Sequence, residues 1–162
     1  RICSYDKTVK KIYKDIDVYF SIKYKTYIAI EGYAMGIRNG RVFNIGEFGG
    51  ILRRVLYMDY AVDDILEVSP TSLKKFATNK GNSPKSMIIK EVFKKWNFEA
   101  ANDNEADAYV LAKICYSYYT NNPVELKYEE EVLRKIKNSN PDLKLLLFPL
   151  HFSILFHQNV FQ

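Results

Sequence analysis

Cysteine and histidine are nearly absent from these 162 residues, with two of each. Cys3 and Cys115 lie far apart without CxxC spacing, and His151 and His157 sit in an apolar stretch without companion ligands. A disulfide framework, a structural zinc site, a histidine-based triad and a zincin helix therefore lose their raw material. Nothing reads as a cleaved secretory signal, so the expected compartment is a reducing, cytoplasmic one. No internal repeat or low-complexity tract is visible, and neither charge sign dominates. Lys plus Arg number 24 against 19 Asp plus Glu, a net charge of +5 and a pI near 9.0. That balance favours polyanionic partners without selecting one. What remains is 48% hydrophobic and 15% aromatic against 27% charged, in 18.9 kDa. This is the composition and size of one soluble globular domain with one core.

Ile2, Tyr5, Val9, Ile12 and Ile16 recur at steps of three and four, predicting a first helix with lysines on its far side. Tyr27-Ile-Ala-Ile-Glu31 is a short apolar run ending in a carboxylate, the pattern of a buried strand whose last residue emerges at the carboxyl edge of a sheet. After a glycine-bearing loop from Gly32 to Gly40, the stripe Ile45, Phe48, Leu52, Val55 predicts a long helix. Ile65 to Val68 predicts a second strand, closed by Ser69-Pro70, with Thr71 or Ser72 capping a short helix through Phe76. Residues 78 to 84 read as a loop, and helices are expected over about 85 to 95, 104 to 119 and 126 to 137. Strands alternating with helices give an α/β layer fold.

Residues 143 to 161 are strongly apolar, but Lys144, Pro149, His151 and His157 interrupt a stretch barely long enough to span a bilayer. The expectation is a domain over 1 to 137 followed by an accessory apolar tail over 138 to 162, with no membrane partner.

One constellation looks like a reaction centre: Glu31 at a strand terminus, and Asn102-Asp-Asn-Glu-Ala-Asp107 at a helix start. Asp103 and Asp107, four apart, share one helical face, while Glu105 points elsewhere. Carboxylates converging on one spot repel unless cations neutralise them, and hard oxygen donors select Mg²⁺ or Mn²⁺. The implied chemistry is metal-assisted phosphodiester hydrolysis. The plainer alternative is that Asp103 or Asn104 caps the helix and Glu105 answers its dipole.

Lys74, Lys75, Lys80, Lys85, Lys90, Lys94 and Lys95 fall within 22 residues containing one acid, Glu91. Such a strip suits phosphate contacts, as it also suits an ordinary solvated face. Arg38 and Arg41, with Arg53-Arg54, extend the basic surface. Tyr33 and Phe43 flank the loop and are candidates for stacking on an unpaired base.

In order and spacing, three segments resemble the RuvC-type Holliday junction resolvases, in their phage-encoded branch. They are Ile28-Ala-Ile-Glu-Gly-Tyr-Ala-Met-Gly36, Leu73-Lys-Lys-Phe-Ala-Thr-Asn-Lys-Gly-Asn-Ser-Pro-Lys85 and Asn104-Glu-Ala-Asp-Ala-Tyr-Val-Leu-Ala112. The resemblance covers about residues 1 to 137. It implies an RNase H-like fold, a mixed sheet flanked by helices, and a homodimer. It also implies paired nicks in a four-way DNA junction that depend on Mg²⁺, with Mn²⁺ as a substitute and two ions per site.

Carried over by position, Glu31 resembles the strand-borne metal ligand and Asp107 the helix-borne one. The family has a further Asp three residues before Asp107, where this chain has Asn104, and Asp103 is the nearest substitute. Lys74 and Lys85 match lysines that contact phosphate near the cut. Lys75, Lys80, Arg38, Arg41 and Tyr33 complete the expected DNA-facing set, and Asn79 replaces a common glycine. The departure is at the start, where the family opens on a strand with a metal-binding Asp in a Gly-Ile-Asp-x-Ser type motif. No glycine precedes Gly32, and Asp6, Asp15 and Asp17 lie on or just after the first predicted helix. The resemblance thus implies that three N-terminal strands are missing, in a fragment of a longer product or a degenerate copy. Two other readings stay open: an inactive chain that binds branched DNA or only proteins, and an RNase H-like nuclease acting on other nucleic acids.

Overall fold

Parallel pairing between two short apolar runs organises the chain. The computed structural model describes residues 27–32, 41–59, 64–120 and 123–139, and the side chains of 41–45 and 59 are not part of that description. The first predicted helix, Tyr33, Arg38 and the segment from 140 onward lie outside the described residues.

Tyr27–Glu31 forms β1 and Asp64–Val68 forms β2, in register from Tyr27 opposite Asp64 to Glu31 opposite Val68. Parallel neighbours need a crossover, and α1, Arg41–Asp59, lies within it. Side chains alternate across a strand, so Tyr27, Ala29, Glu31, Leu66 and Val68 share one face. Leu66 and Val68 are fully buried and Ala29 packs beside them, which identifies that face as the core side. The opposite face carries Glu67, whose carboxylate meets Arg53 of α1 at 2.9 Å. A Cβ on Gly32 would lie 2.9 Å from Glu67 Oε1, so glycine leaves room for that side chain.

Four more helices follow: α2, Pro70–Thr78; α3, Lys85–Trp96; α4, Asp103–Thr120; and α5, Lys127–Ser139. The chain is mixed α/β, mostly helical, with a small two-stranded parallel sheet. The α2 helix starts earlier than Thr71 or Ser72. Ser69 is the cap, its Oγ accepting from the Ser72 N–H at 3.2 Å, because Pro70 suits the first helical position, where no N–H is needed. Both α2 and α3 end on left-handed asparagines, Asn79 at φ 67° and Asn97 at φ 51°, whose N–H groups close on the Lys75 and Phe93 carbonyls at 2.8 Å. Asparagine is the residue after glycine that tolerates this conformation, which accounts for an asparagine at both helix ends.

The core centres on α4, which contributes Ala106, Val110, Ile114 and Tyr118 at steps of four against β1, α2, α3 and α5. Phe76 and Leu73 of α2, Ile88 and Val92 of α3, and Val132 and Ile136 of α5 complete it. Among the described residues this cluster takes nothing from α1, although Val55 and Leu56 are themselves buried. Tyr27 stacks on Tyr119 with ring centroids 4.0 Å apart, seating α4 on the core face of β1.

One member of the lysine strip is turned inward. Lys95 meets Glu129 at 3.0 Å with both side chains largely buried, donates to the Phe76 carbonyl at 3.1 Å, and lies 4.7 Å from the Tyr128 ring centroid. It therefore ties α2, α3 and α5 together and is not a surface phosphate contact. Removing one partner of a buried pair strands the other charge, at a cost of about 3 kcal/mol. Lys95→Ala is expected to lose about that much stability in urea unfolding. The double variant Lys95→Met/Glu129→Gln, which strands no charge, is expected to lose less. A single variant within about 0.5 kcal/mol of the parent would show that the pair carries little.

Candidate functional site

Strand β1 ends on Glu31, exposed at the carboxyl edge and on the face that α4 packs against. The first turns of α4 present Asp103 and Asp107, four apart on one side, as the spacing predicts. Lys74 comes from the middle of α2 and Lys85 from the first position of α3. These five charges act on one another. The ordinary Asp value is 3.8, and burial, followed by the Glu31 charge, pushes Asp107 up to about 6; Asp103 adds to the rise while Lys85 and Lys74 oppose it. Asp107 Oδ1 is buried without a hydrogen-bond partner. A half-buried carboxylate with an orphaned oxygen, facing a second carboxylate, is in deficit of positive charge.

Asp103 is occupied differently. Its Oδ2 accepts from Lys85 Nζ, and that ammonium holds the Asp103 carboxyl below its usual range, helped by N–H groups at the helix start. Reciprocally, Asp103 raises Lys85, and Asp107 and Glu31 raise it further. The helix cap is neither Asp103 nor Asn104. Asn102 Oδ1 accepts from the Glu105 N–H at 3.0 Å, and Glu105 Oε2 accepts from the Ala101 N–H at 2.6 Å. This reciprocal arrangement resembles a capping box, and it directs Glu105 away from the acidic site. Asn104 is exposed.

The loop carrying Lys80 is held by hydroxyls. Thr78 Oγ1 and Ser83 Oγ are 2.6 Å apart, Thr78 also donates to the Lys74 carbonyl at 2.8 Å, and Ser83 donates to the Lys80 carbonyl at 3.0 Å. A Cβ on Gly81 would meet the Thr71 carbonyl oxygen at 3.2 Å, so the loop lies tight on the start of α2. This fixes the path between Lys74 and Lys85 and leaves Lys80 exposed on it. Lys75 has an internal partner, Glu131 of α5, at 2.7 Å. Arg41 begins α1.

Among the described residues, no three His, Cys, Asp or Glu side chains gather closely enough to hold a metal by themselves. The buried thiol of Cys115, pushed up to about 12 first by burial and then by the Asp64 charge, is not a nucleophile.

Sequence reasoning placed Glu31 and Asp107 but missed the Asp103–Lys85 and Lys75–Glu131 pairs, whose members lie 18 and 56 residues apart. No local pattern reports such pairings. Among the described residues no helix is long and apolar enough to cross a membrane. Comparison with protein-family models, curated proteins and solved structures finds no match.

Proposed function

We propose that this chain is a structure-specific DNA endonuclease of the Holliday junction resolvase kind, with an RNase H-like fold and a second copy as its partner. It would nick branched DNA with Mg²⁺, or Mn²⁺ in its place. The observation that carries the proposal is the Asp107 carboxylate, raised by burial and the Glu31 charge, opposed by the Lys85 and Lys74 charges, and left with a buried oxygen that has no hydrogen-bond partner. The motif order, Glu31 on a strand, then Lys74 and Lys85, then Asp107 on a helix, supports the same reading.

Glu31 and Asp107 would hold the metal, which supplies activation of water and neutralisation of charge at the scissile phosphate. The remaining work falls to the chain's own residues. Lys74, Lys80 and Lys85 neutralise phosphate oxygens, a contribution that weakens steeply with salt. Asp107 must shed its proton to serve as a hard ligand, so metal binding releases that proton and strengthens as pH rises.

A second reading has its own observation. Asp103 is already paired with Lys85, which among the described residues leaves Glu31 and Asp107 as the carboxylates offered to an ion. A chain that binds branched DNA without cutting it would need no more. One experiment separates the two: a labelled four-way junction and a linear duplex of matched sequence, each incubated with the chain in EDTA, Mg²⁺ or Mn²⁺. The endonuclease reading expects salt-sensitive junction binding in all three conditions and nicks only with metal. Binding without nicks in any condition favours the second reading, and equal cleavage of linear duplex contradicts junction selectivity.

A further inference from the structure

We infer that Asp103 is a positioning residue that holds Lys85 at the mouth of the carboxylate site, and not a ligand for the ion; this rests on the endonuclease reading. Lys85 occupies the first position of α3, after Pro84, which offers no side-chain cap, and that first turn contains no acid. A cation at the positive end of a helix dipole is unfavourable by some tenths of a kcal/mol, so the helix itself gives no reason for a lysine here. Nor does the ion pair add much stability. Its side chains are 66% and 32% exposed, and pairs so placed contribute little.

What the pair does is geometric. An unpaired lysine spreads over many rotamers, whereas one bonded to Asp103 keeps its ammonium at a fixed place between two helix starts. At that place it feels Asp107 and Glu31 as well as Asp103. Asp103 is not needed as the side-chain cap of α4, because Asn102 fills that role. Its oxygen faces an ammonium, whereas the orphaned oxygen of Asp107 does not. Lys85 is thus set beside the metal-holding carboxylates before DNA arrives, as a point charge ready for a phosphate oxygen at the site of cleavage.

Asp103→Asn, Asp103→Glu and Asp107→Asn in the full chain test the inference through three readouts. Mn²⁺ binding, followed by electron paramagnetic resonance, is expected to stay within about twofold of the parent in Asp103→Asn and to weaken about tenfold or more in Asp107→Asn. Acylation of Lys85 by acetic anhydride, read by peptide mass spectrometry without metal, is expected to speed up about threefold in Asp103→Asn, with Asp103→Glu in between. In junction nicking, Asp103→Asn is expected to lower kcat about tenfold with KM within about twofold, with partial recovery in Asp103→Glu. Mn²⁺ affinity falling as far in Asp103→Asn as in Asp107→Asn would overturn the inference alone, as would unchanged Lys85 reactivity. Absence of Mn²⁺ binding in the parent chain would overturn both it and the site reading.

Discussion

Glu31→Gln is expected to slow junction nicking by about a thousandfold while leaving junction binding in EDTA within about twofold of the parent. The reason is positional. Glu31 is exposed at the end of β1, so removing its charge costs the fold little. Its carboxylate is nevertheless one of two that would hold the ion, and an amide is a far poorer partner for a hard cation. The phosphate contacts proposed for Lys74, Lys80 and Lys85 do not use the Glu31 carboxylate and should survive. Filter binding across a salt series, beside single-turnover nicking, checks both halves. Equal loss of binding and nicking would show that Glu31 supports the fold or the DNA surface rather than the reaction.

Asp107→Asn is expected to abolish nicking and, in metal-free buffer at pH 7 to 8, to raise thermal stability by about 3 °C. The folded-state value of about 6 lies above the ordinary 3.8, so the native protein holds this proton more tightly than the unfolded chain. Stability from this group is therefore fully present below about pH 4, is lost as pH rises towards 6, and stays lost above it. The whole shift corresponds to about 3 kcal/mol, and because the side chain is only half-buried, solvent screening reduces this to about 1 kcal/mol. The variant should consequently lose the decline in melting temperature between pH 4 and 6 and overtake the parent above it. Parallel pH profiles for parent and variant would contradict the burial of Asp107 beside Glu31.

The parts of this site legible in sequence are those set by local periodicity. A β-branched run ending in Glu31 can place that carboxylate at a strand edge, and a four-residue spacing can put Asp103 and Asp107 on one helical side. Capping was harder, because Ser69, Thr71 and Ser72 can all serve and only Pro70 at the first helical position decides among them. The lysines were hardest. In sequence Lys75, Lys85 and Lys95 look alike, yet one meets Glu131 across α5, one meets Asp103 at a neighbouring helix start, and one is buried against Glu129. Those differences come from helix packing across 56, 18 and 34 residues, which no local pattern encodes. The same packing shows α4, rather than the longer α1, at the centre of the main core.

The claim on which everything else depends is that Glu31 and Asp107 act as one divalent-ion site. Calorimetric titration of Mn²⁺ into the chain at pH 8, repeated with Glu31→Gln and Asp107→Asn, tests it directly. The account predicts saturable binding by the parent, and loss of about tenfold or more in affinity in each variant. Binding that is equal in all three proteins, or absent from the parent, would contradict it.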